Sequence, residues 1–511
     1  MEKKYCDFLD EISSDDLYEG LLGYGLFANK LPPVFTAEHF YAYCKNNNPE
    51  FSTTSEHGYV LYSSMRNTNL PRLFGIPTPM MYQGLCAVLR DNWDTLKRFL
   101  HSQTDDNEYR ISRIHLRKMC DEKALFEMNY KDWRVDGNPE TDLLIFQNRA
   151  NKFLVHADIS TCFPSIYSHA IPWALVGKEE AKKNRNAKDL YYNKIDTACY
   201  HMKNGETHGL LIGPHTSNLL SELILTKIDK ALYQKGYRFF RNIDDYSCYV
   251  SSNEMAQCFL RDLEEELRAY DLALNHKKTV IQPLPLAITE SWVHRLNSVQ
   301  LVTGYGKTSY EEINTYLDTA IAIANETSNA AVLKYAIKRL ASMNLTPNAK
   351  KYGAKRIMHL AVVYPYLLQL MEEYVFHVYG VDSASIKSFS DAVYQEAKKV
   401  NNYEAISFCV YYSLKYRFQL NELDCEWVIQ RNDCVLLVMT WLYYLAANHG
   451  KRKASDLKPL RDEAIRLRDL DMDRYWLFCY EVMACGNLPS DWQPLKKAGI
   501  SFIKNSFGED T

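Results

Sequence analysis

The chain has 511 residues, of which 47% are hydrophobic and 24% charged, with Gly 20 and Pro 17. Those figures exclude disordered, collagen-like and linker-dominated chains. With 60 basic and 63 acidic residues the net charge is −3, so no basic field covers the whole molecule and any nucleic-acid contact is local.

The length suggests two large domains or three smaller ones. The start, MEKKYCDFLDEISSDD, carries charge where a signal peptide has an apolar run, and the 13 cysteines are scattered without a C-x-x-C. Both features point to a reducing, cytoplasmic setting with free thiols. Residues 1–92 read as mixed helix and loop, with breaks at Pro32-Pro33 and Pro77-Thr78-Pro79. From about Arg110 to Gln282 strand-like and helix-like segments alternate, an α+β pattern. Val302–Ser309, with two glycines among small polar residues, marks a boundary. Beyond it, apolar residues recur at three- and four-residue steps in Tyr316–Ala324, Ala330–Met343, Ile357–Val378, Ala392–Tyr403, Ala405–Tyr416, Val435–Ala447 and Leu457–Leu470. The pattern predicts successive helices, stacked as an α-solenoid or packed as a plain bundle. The most apolar run, Cys434–Ala447, is too short for a membrane span and reads as a buried helix.

Three short segments carry chemistry. In Phe153-Leu-Val-His-Ala-Asp158 an apolar strand ends on a lone carboxylate; alone, such an Asp more often caps a turn. In Arg241-Asn-Ile-Asp244-Asp245, two aromatic β-rich stretches flank paired carboxylates, which predicts a hairpin with both near its tip. Adjacent carboxylates repel, and an oxygen-seeking divalent cation is the economical compensation, although a solvated turn fits as well. In Gly209-Leu-Leu-Ile-Gly213-Pro-His-Thr-Ser217, glycines precede an apolar helix, as in a ligand-approaching loop or a structural turn. Their order is far more specific than any one of them: Asp158, a Gly-x-x-x-Ser about 55 residues on, and the Asp pair about 30 further.

In this order and spacing the sequence resembles the reverse transcriptases. Asp158 with Phe163 matches their motif A, Gly213 with Ser217 motif B, Asn242-Ile243-Asp244-Asp245 motif C, and Leu274-Asn-His-Lys277-Lys278 loosely motif D. Ser168-His-Ala-Ile-Pro-Trp173-Ala-Leu-Val-Gly-Lys178, the THGLLIGPHTSNLLSEL form of motif B, Arg241, and the early Gly25–Pro33 stretch are similar to the abortive-infection (Abi) reverse transcriptases of bacteria and prophages. The resemblance implies an α+β fingers–palm domain over residues 1–300, followed by an all-α, HEAT-like or solenoid domain over 310–511 in place of a thumb.

It also implies roles. Asp158 and Asp244 bridge two Mg²⁺ ions (Mn²⁺ as substitute) about 4 Å apart, with Asp245 and the Ile159 carbonyl completing the site. Lys278, or Lys277, protonates pyrophosphate, and Phe163 lies under the sugar and favours dNTPs. Gly213 and Ser217 line the nucleotide site, and the basic run Arg110, Arg113, Arg117, Lys118 takes the triphosphate, where a solvated basic face fits any single member equally. The chain departs from the usual pattern at Ile212, where Gln is common, and at Asn242, where Tyr or Phe is common.

Abi enzymes are implied to prime DNA on a protein hydroxyl and to extend it without a template. Tyr5, Tyr18, Tyr24, Tyr41 and Tyr43 are the N-terminal phenols among 37 tyrosines. The partners expected are dNTPs, a single-stranded DNA product attached to the protein, and further copies of the chain in a trimer or hexamer, with no membrane. Clusters at Lys350-Lys351, Lys355-Arg356 and Lys451–Lys453 are candidate product contacts or solvated helix ends. A template-copying reverse transcriptase and a non-catalytic scaffold are the competing readings.

Overall fold

The computed structural model describes residues 4–49, 51, 55–65, 71–113, 115–116, 125–127, 151–286, 290–301 and 306–508. The N-terminal part holds helices α1 (Tyr5–Asp10), α2 (Ser14–Leu22) and α3 (Glu38–Asn47), strands β1 (Tyr59–Met65) and β2 (Pro71–Pro77), and helices α4 (Pro79–Asp91) and α5 (Trp93–Thr104). The Ser13 hydroxyl accepts from the Asp16 amide, and the Asp16 carboxylate accepts from the Ser13 amide, a reciprocal cap that starts α2. β1 and β2 pair antiparallel, with Tyr59 opposite Pro77 and Met65 opposite Pro71. This hairpin corrects the helix-and-loop reading of residues 1–92. Pro71, Gly75 and Pro77 break the strand signal of β2, and prolines are tolerated there because they sit at its two ends.

The palm follows as β3 (Phe153–Asp158), α6 (Cys162–Ser165), α7 (Ala170–Val176), α8 (Tyr191–His201), α9 (His215–Gln234), β4 (Phe239–Asn242), β5 (Asp245–Val250), α10 (Asn253–Arg268) and β6 (Val280–Pro283). The sheet runs β4-β5-β3-β6 with every pair antiparallel. Strand alternation divides its faces. Val155, Ala157, Phe239, Tyr246, Cys248 and Val250 pack into the main core. They are covered by α9 and by α10, whose Ala256, Phe259, Leu263 and Leu267 recur at helical spacing. On the other face Leu154, Phe240 and Tyr249 make a small apolar cluster beside a polar row.

Beyond α11 (Ser291–Ser298) the chain is helical: α12 (Tyr310–Thr327), α13 (Ala330–Ala341), α14 (Pro347–Val363), α15 (Ser383–Lys399), α16 (Tyr403–Tyr416), α17 (Cys425–Arg431), α18 (Cys434–Ala447), α19 (Lys458–Asp471) and α20 (Trp476–Val482). Each helix from α12 to α18 starts on a polar side chain that accepts a first-turn amide: Ser309, Asn329, Thr346, Asp382, Asn402, Asp424 and Asp433. Such caps punctuate a helical array as effectively as its apolar periodicity. The predicted stretch Ile357–Val378 is not one helix. α14 stops at Val363 because Pro365 offers no amide and forces Tyr364 out of helical geometry, and short 3₁₀ and π turns follow. α18 is buried on all sides from Cys434 to Tyr443, as its uniform apolarity requires, and only its last turn reaches solvent. Among the described residues, no helix is long and apolar enough to cross a membrane.

The helical region packs back on the N-terminal part. β1 lies against α16, α18 and α20. Glu404, buried in the first turn of α16, accepts from Ser64 Oγ at 2.8 Å, the Met65 amide at 2.7 Å and Gln369 Nε2 at 3.0 Å. Trp476 Nε1 donates to the Ile76 carbonyl at 3.2 Å. Near the end of the chain, the Thr36 amide donates to the Phe502 carbonyl at 2.9 Å and the Lys504 amide to the Val34 carbonyl at 2.8 Å. Replacing Glu404 by Ala leaves the Met65 amide without its acceptor; thermal unfolding should show a loss of about 2–3 kcal/mol, part of it recovered in Glu404→Gln.

Candidate active site

The candidate site is set by strand register. β3 and β5 place Asp158 directly opposite Asp245, so both carboxylates leave the same face on neighbouring strands. β4 and β5 are joined by a two-residue turn, Ile243-Asp244, between the paired Asn242 and Asp245. Ile243 has φ 58°, an outlying conformation for a β-branched residue. Two contacts fix it: its carbonyl accepts from Arg241 Nη1 at 3.0 Å, and the next carbonyl, that of Asp244, accepts from the Ile159 amide at 3.0 Å. Ile159, the residue expected to lend its carbonyl, is thus tied by its amide to the hairpin turn.

Arg241 is fully buried on the core side of β4. Its guanidinium takes both oxygens of Asp229, at 2.6–3.0 Å, and both oxygens of Glu222, at 3.0 and 3.2 Å. Glu222 and Asp229 sit seven residues apart on α9 and so share one helix face. Burial pushes the Asp229 carboxyl up to about 6, against the opposing pull of Arg241. From below, Tyr5 Oη donates to Glu222 Oε1 at 3.0 Å. The seven-residue spacing of Glu222 and Asp229, the two acids of this helix, is the sequence signal that would have revealed this network.

Three carboxyl groups face one ammonium. Lys278 Nζ bonds Asp158 Oδ2 at 2.6 Å, and Asn275 Nδ2 donates to Asp158 Oδ1 at 2.9 Å. The Asp158 side chain is 7% exposed and that of Lys278 63%, so the amine reaches the buried carboxylate from the solvent side. Burial opposes ionisation of Asp158, but its hydrogen bonds, that from Lys278 foremost, hold the carboxyl below its ordinary range. Asp245 carries the opposing shift: desolvation first, then the hydrogen bond with Asp158 and the charge of Asp244, raise it to about 7. Asp244 is raised by burial and then by Asp158. Among the described residues the three carboxylates do not close to within 4.8 Å of one another. The Asp158–Asp245 pair is formed, with Asp244 beside it and Lys278 neutralising Asp158. An all-oxygen, acid-rich donor set of this kind fits Mg²⁺ or Mn²⁺.

The other predicted residues are spread around this centre. Phe163, on α6, is 9% exposed, and its carbonyl accepts from the Leu210 amide at 2.8 Å, which joins motifs A and B. Gly213 has φ 128°, and a Cβ there would meet the Gly75 carbonyl of β2 at 3.3 Å. Ile212 accepts from the Gly75 amide at 2.9 Å, so this unusual residue ties the loop to the fingers strand. Ser217 is buried in the first turn of α9, 1% exposed, with its hydroxyl lacking a hydrogen-bond partner among the described residues. A Cβ at Gly25 would come within 2.8 Å of His215 Cβ, which explains the close packing of the Gly25–Pro33 stretch on motif B.

Arg113 follows a short bridge to β4 and lays its guanidinium over the Phe240 ring, 4.7 Å from the centroid. Arg110 is buried, with its guanidinium over Phe8. Arg117 and Lys118 lie outside the described residues. Lys277 is exposed beside Asn275. Of the N-terminal phenols, Tyr5, Tyr18 and Tyr41 are buried, Tyr24 donates to Glu38, and Tyr43 is half-buried.

The sequence reading missed Arg72, because it lies on the unrecognised β2. Its charge acts on both Asp244 and Lys30. Lys30 belongs to a basic group with Lys334 and Lys338 of α13. Lys334 is pushed down to about 8 by desolvation first and then by Lys30, with Glu404 opposing. Lys334 and Lys338 stand 5.4 and 5.1 Å from the ring centroids of Tyr366 and Tyr374.

The family model described as reverse transcriptase (RNA-dependent DNA polymerase) matches residues 96–292, and this segment is a reverse transcriptase domain. No curated protein matches the chain. Among solved structures, the chain is similar to apo telomerase from Candida tropicalis truncated from its C-terminal domain (13% identity, TM-score 0.30, covering 47% of this chain and 52% of that one). It is also similar to apo telomerase from Candida tropicalis (11%, TM-score 0.32, 73% and 71%). A third is the telomerase from Candida albicans in complex with a TWJ fragment of telomeric RNA (12%, TM-score 0.30, 86% and 68%). The chain spans about half the length of the first of these.

Two outcomes test the site. With Asp245 raised from 3.8 to about 7, the folded chain binds the extra proton between those values, and stability falls as pH rises through that window. In metal-free protein Asp245→Asn should flatten that fall in Tm, and Mg²⁺ should stabilise the wild type more at pH 8 than at pH 6. Arg241→Ala, which strands two buried carboxylates, should cost about 3–5 kcal/mol in chemical denaturation.

Proposed function

We propose that this chain is a nucleotidyltransferase that polymerises dNTPs, starts its DNA on a hydroxyl of the protein itself, and extends it without a template. Its setting is abortive-infection defence in the bacterial cytoplasm, and it works as a homo-oligomer. The observation that carries the polymerase reading is the register that sets Asp158 against Asp245 with Asp244 in the adjoining turn, inside a reverse transcriptase domain. The template-free reading is supported by the chain's near-neutral charge and by Asn242 and Ile212 standing where template-copying enzymes commonly carry other residues.

Asp158, Asp244 and Asp245 would hold two divalent cations, Mg²⁺ by donor type, which supply an activated hydroxyl and neutralise the triphosphate. The attacking oxygen forms a bond to the α-phosphorus of the dNTP, the bond from that phosphorus to the bridging oxygen breaks, and pyrophosphate leaves. The hydroxyl proton passes to solvent. Lys278, once freed from Asp158, would donate a proton to the leaving pyrophosphate. Arg72, acting on Asp244 from the fingers hairpin, takes negative charge on the triphosphate. Lys30, Lys334 and Lys338, with the Tyr366 and Tyr374 rings beside them, take the phosphates and bases of the growing strand.

Purified protein given Mg²⁺ and labelled dNTPs, with neither template nor primer, should carry label on the polypeptide in denaturing gels. Protease should release it as a peptide that identifies the priming residue. Asp158→Asn and Asp244→Asn should each reduce incorporation by about 10³-fold. Incorporation only after RNA template and primer are added would overturn template-free synthesis in favour of template copying. In a second measurement, Lys334→Glu with Lys338→Glu should shorten the products and weaken the salt dependence of strand binding, while the first nucleotide is still added.

A further inference from the structure

Outside the palm, α1 packs against α5, and each helix turns a pair of polar residues spaced by four toward the other. On α1 these are Cys6 and Asp10; on α5 they are His101 and Asp105, the latter continuing the helical backbone as its C-cap. Residues four apart share a helix face, so the two pairs meet edge to edge. Cys6 Sγ, a ring nitrogen of His101 and a carboxylate oxygen of Asp105 all lie within 4.8 Å of one another. His101 Nδ1 is 3.1 Å from Asp105 Oδ1, and its Nε2 is 3.0 Å from Asp10 Oδ1. Cys6 is a free thiol, 5% exposed, 2.9 Å from Thr104 Oγ1, whose hydroxyl donates to the Leu100 carbonyl. Polymerisation has no use for any of these groups.

We propose that Cys6, His101 and Asp105 form a structural Zn²⁺ site that staples α1 to α5, with Asp10 holding the imidazole from its far side. The donor set chooses the metal. A thiolate with an imidazole and a carboxylate suits zinc and not the hard cations of the palm. Bond lengths of about 2.0–2.3 Å place tetrahedral ligands somewhat under 4 Å apart, a closure that side-chain rotation supplies from the present spacing. Asp10 on Nε2–H fixes the tautomer that leaves Nδ1 to the metal, the usual carboxylate–histidine–zinc relay. Water fills the fourth position from the open side, where the Asp10 and Asp105 side chains are 58% and 57% exposed. Binding displaces the Cys6 thiol proton to solvent. Thiolate and two carboxylates exceed the ion by one negative charge, and Lys4, whose Nζ lies 3.3 Å from the Asp105 carbonyl, offsets it. The alternative is a protonated His101 clamped between Asp10 and Asp105, which gives the thiol no part.

The test uses the full chain, purified without a metal-affinity step and dialysed against Zn²⁺ or Co²⁺. Wild type should retain about one zinc per chain by mass spectrometry of the metal, and the cobalt form should show a thiolate-to-cobalt charge-transfer band. Cys6→Ser and His101→Ala should each lose both signals, while Cys44→Ser, at another buried thiol, keeps them. Zn²⁺ should raise the Tm of wild type and of Cys44→Ser above their values in chelator and leave those of Cys6→Ser and His101→Ala unmoved. Wild type that retains no more zinc than Cys6→Ser, or a cobalt band that survives in Cys6→Ser, would overturn the site and leave the histidine clamp.

Discussion

Arg241 sits at zero exposure between the Asp244-Asp245 hairpin and α9, and the geometry of the carboxylate centre is set from it. Two acids on α9 anchor the guanidinium, while one of its nitrogens reaches forward to the Ile243 carbonyl. A buried ion pair contributes little net stability, and well-packed apolar residues often replace one without loss. They could not replace this one, because an apolar side chain offers no donor to a turn held in an unfavourable backbone conformation. The network is therefore best understood as positional. It fixes where the Asp244 carboxylate starts, and Tyr5 fixes the network in turn from α1.

Two clusters of opposite sign lie beyond that base, linked through the charge of Arg72. On the palm, three carboxyl groups face one lysine; elsewhere Lys30 and Lys334, with Lys338 beside them, draw on Glu404, and the charge of Arg72 acts on both Asp244 and Lys30. Each cluster relieves its own strain by moving protons: Asp245 holds one to about 7, and Lys334 gives one up near 8. Under the proposed function, the cation–triphosphate complex discharges both clusters at once, and the protein tolerates the mismatch until substrate arrives.

How much of this the sequence disclosed depended on the range of the interactions. The strand ending in Asp158, the hairpin at Asp244-Asp245 and the helices after Tyr310 were legible because each is written in local pattern. The β1–β2 hairpin was not, since its second strand carries two prolines and a glycine and is stabilised by helices remote in sequence. Arg72 was lost with it. The pairing of Lys278 with Asp158 is likewise a long-range contact, in which a residue expected to serve pyrophosphate meets a carboxylate expected to hold metal. Ser217 is buried, and Arg110 and Arg113 lie over aromatic rings, arrangements that no motif spacing encodes. The break of Ile357–Val378 at Tyr364-Pro365 was in plain view, but the apolar content of that stretch outweighed a single proline.

The pairing of residues 34–36 with 502–504 fastens the end of the helical region to the N-terminal segment, and β1 braces α16, α18 and α20 before that end is reached. A polymerase thumb is a cantilever, free at one end to close over a duplex. A region braced along its length and stitched at its end has no free end, so closing in that way would first have to break the 34–36 pairing and the contacts with β1.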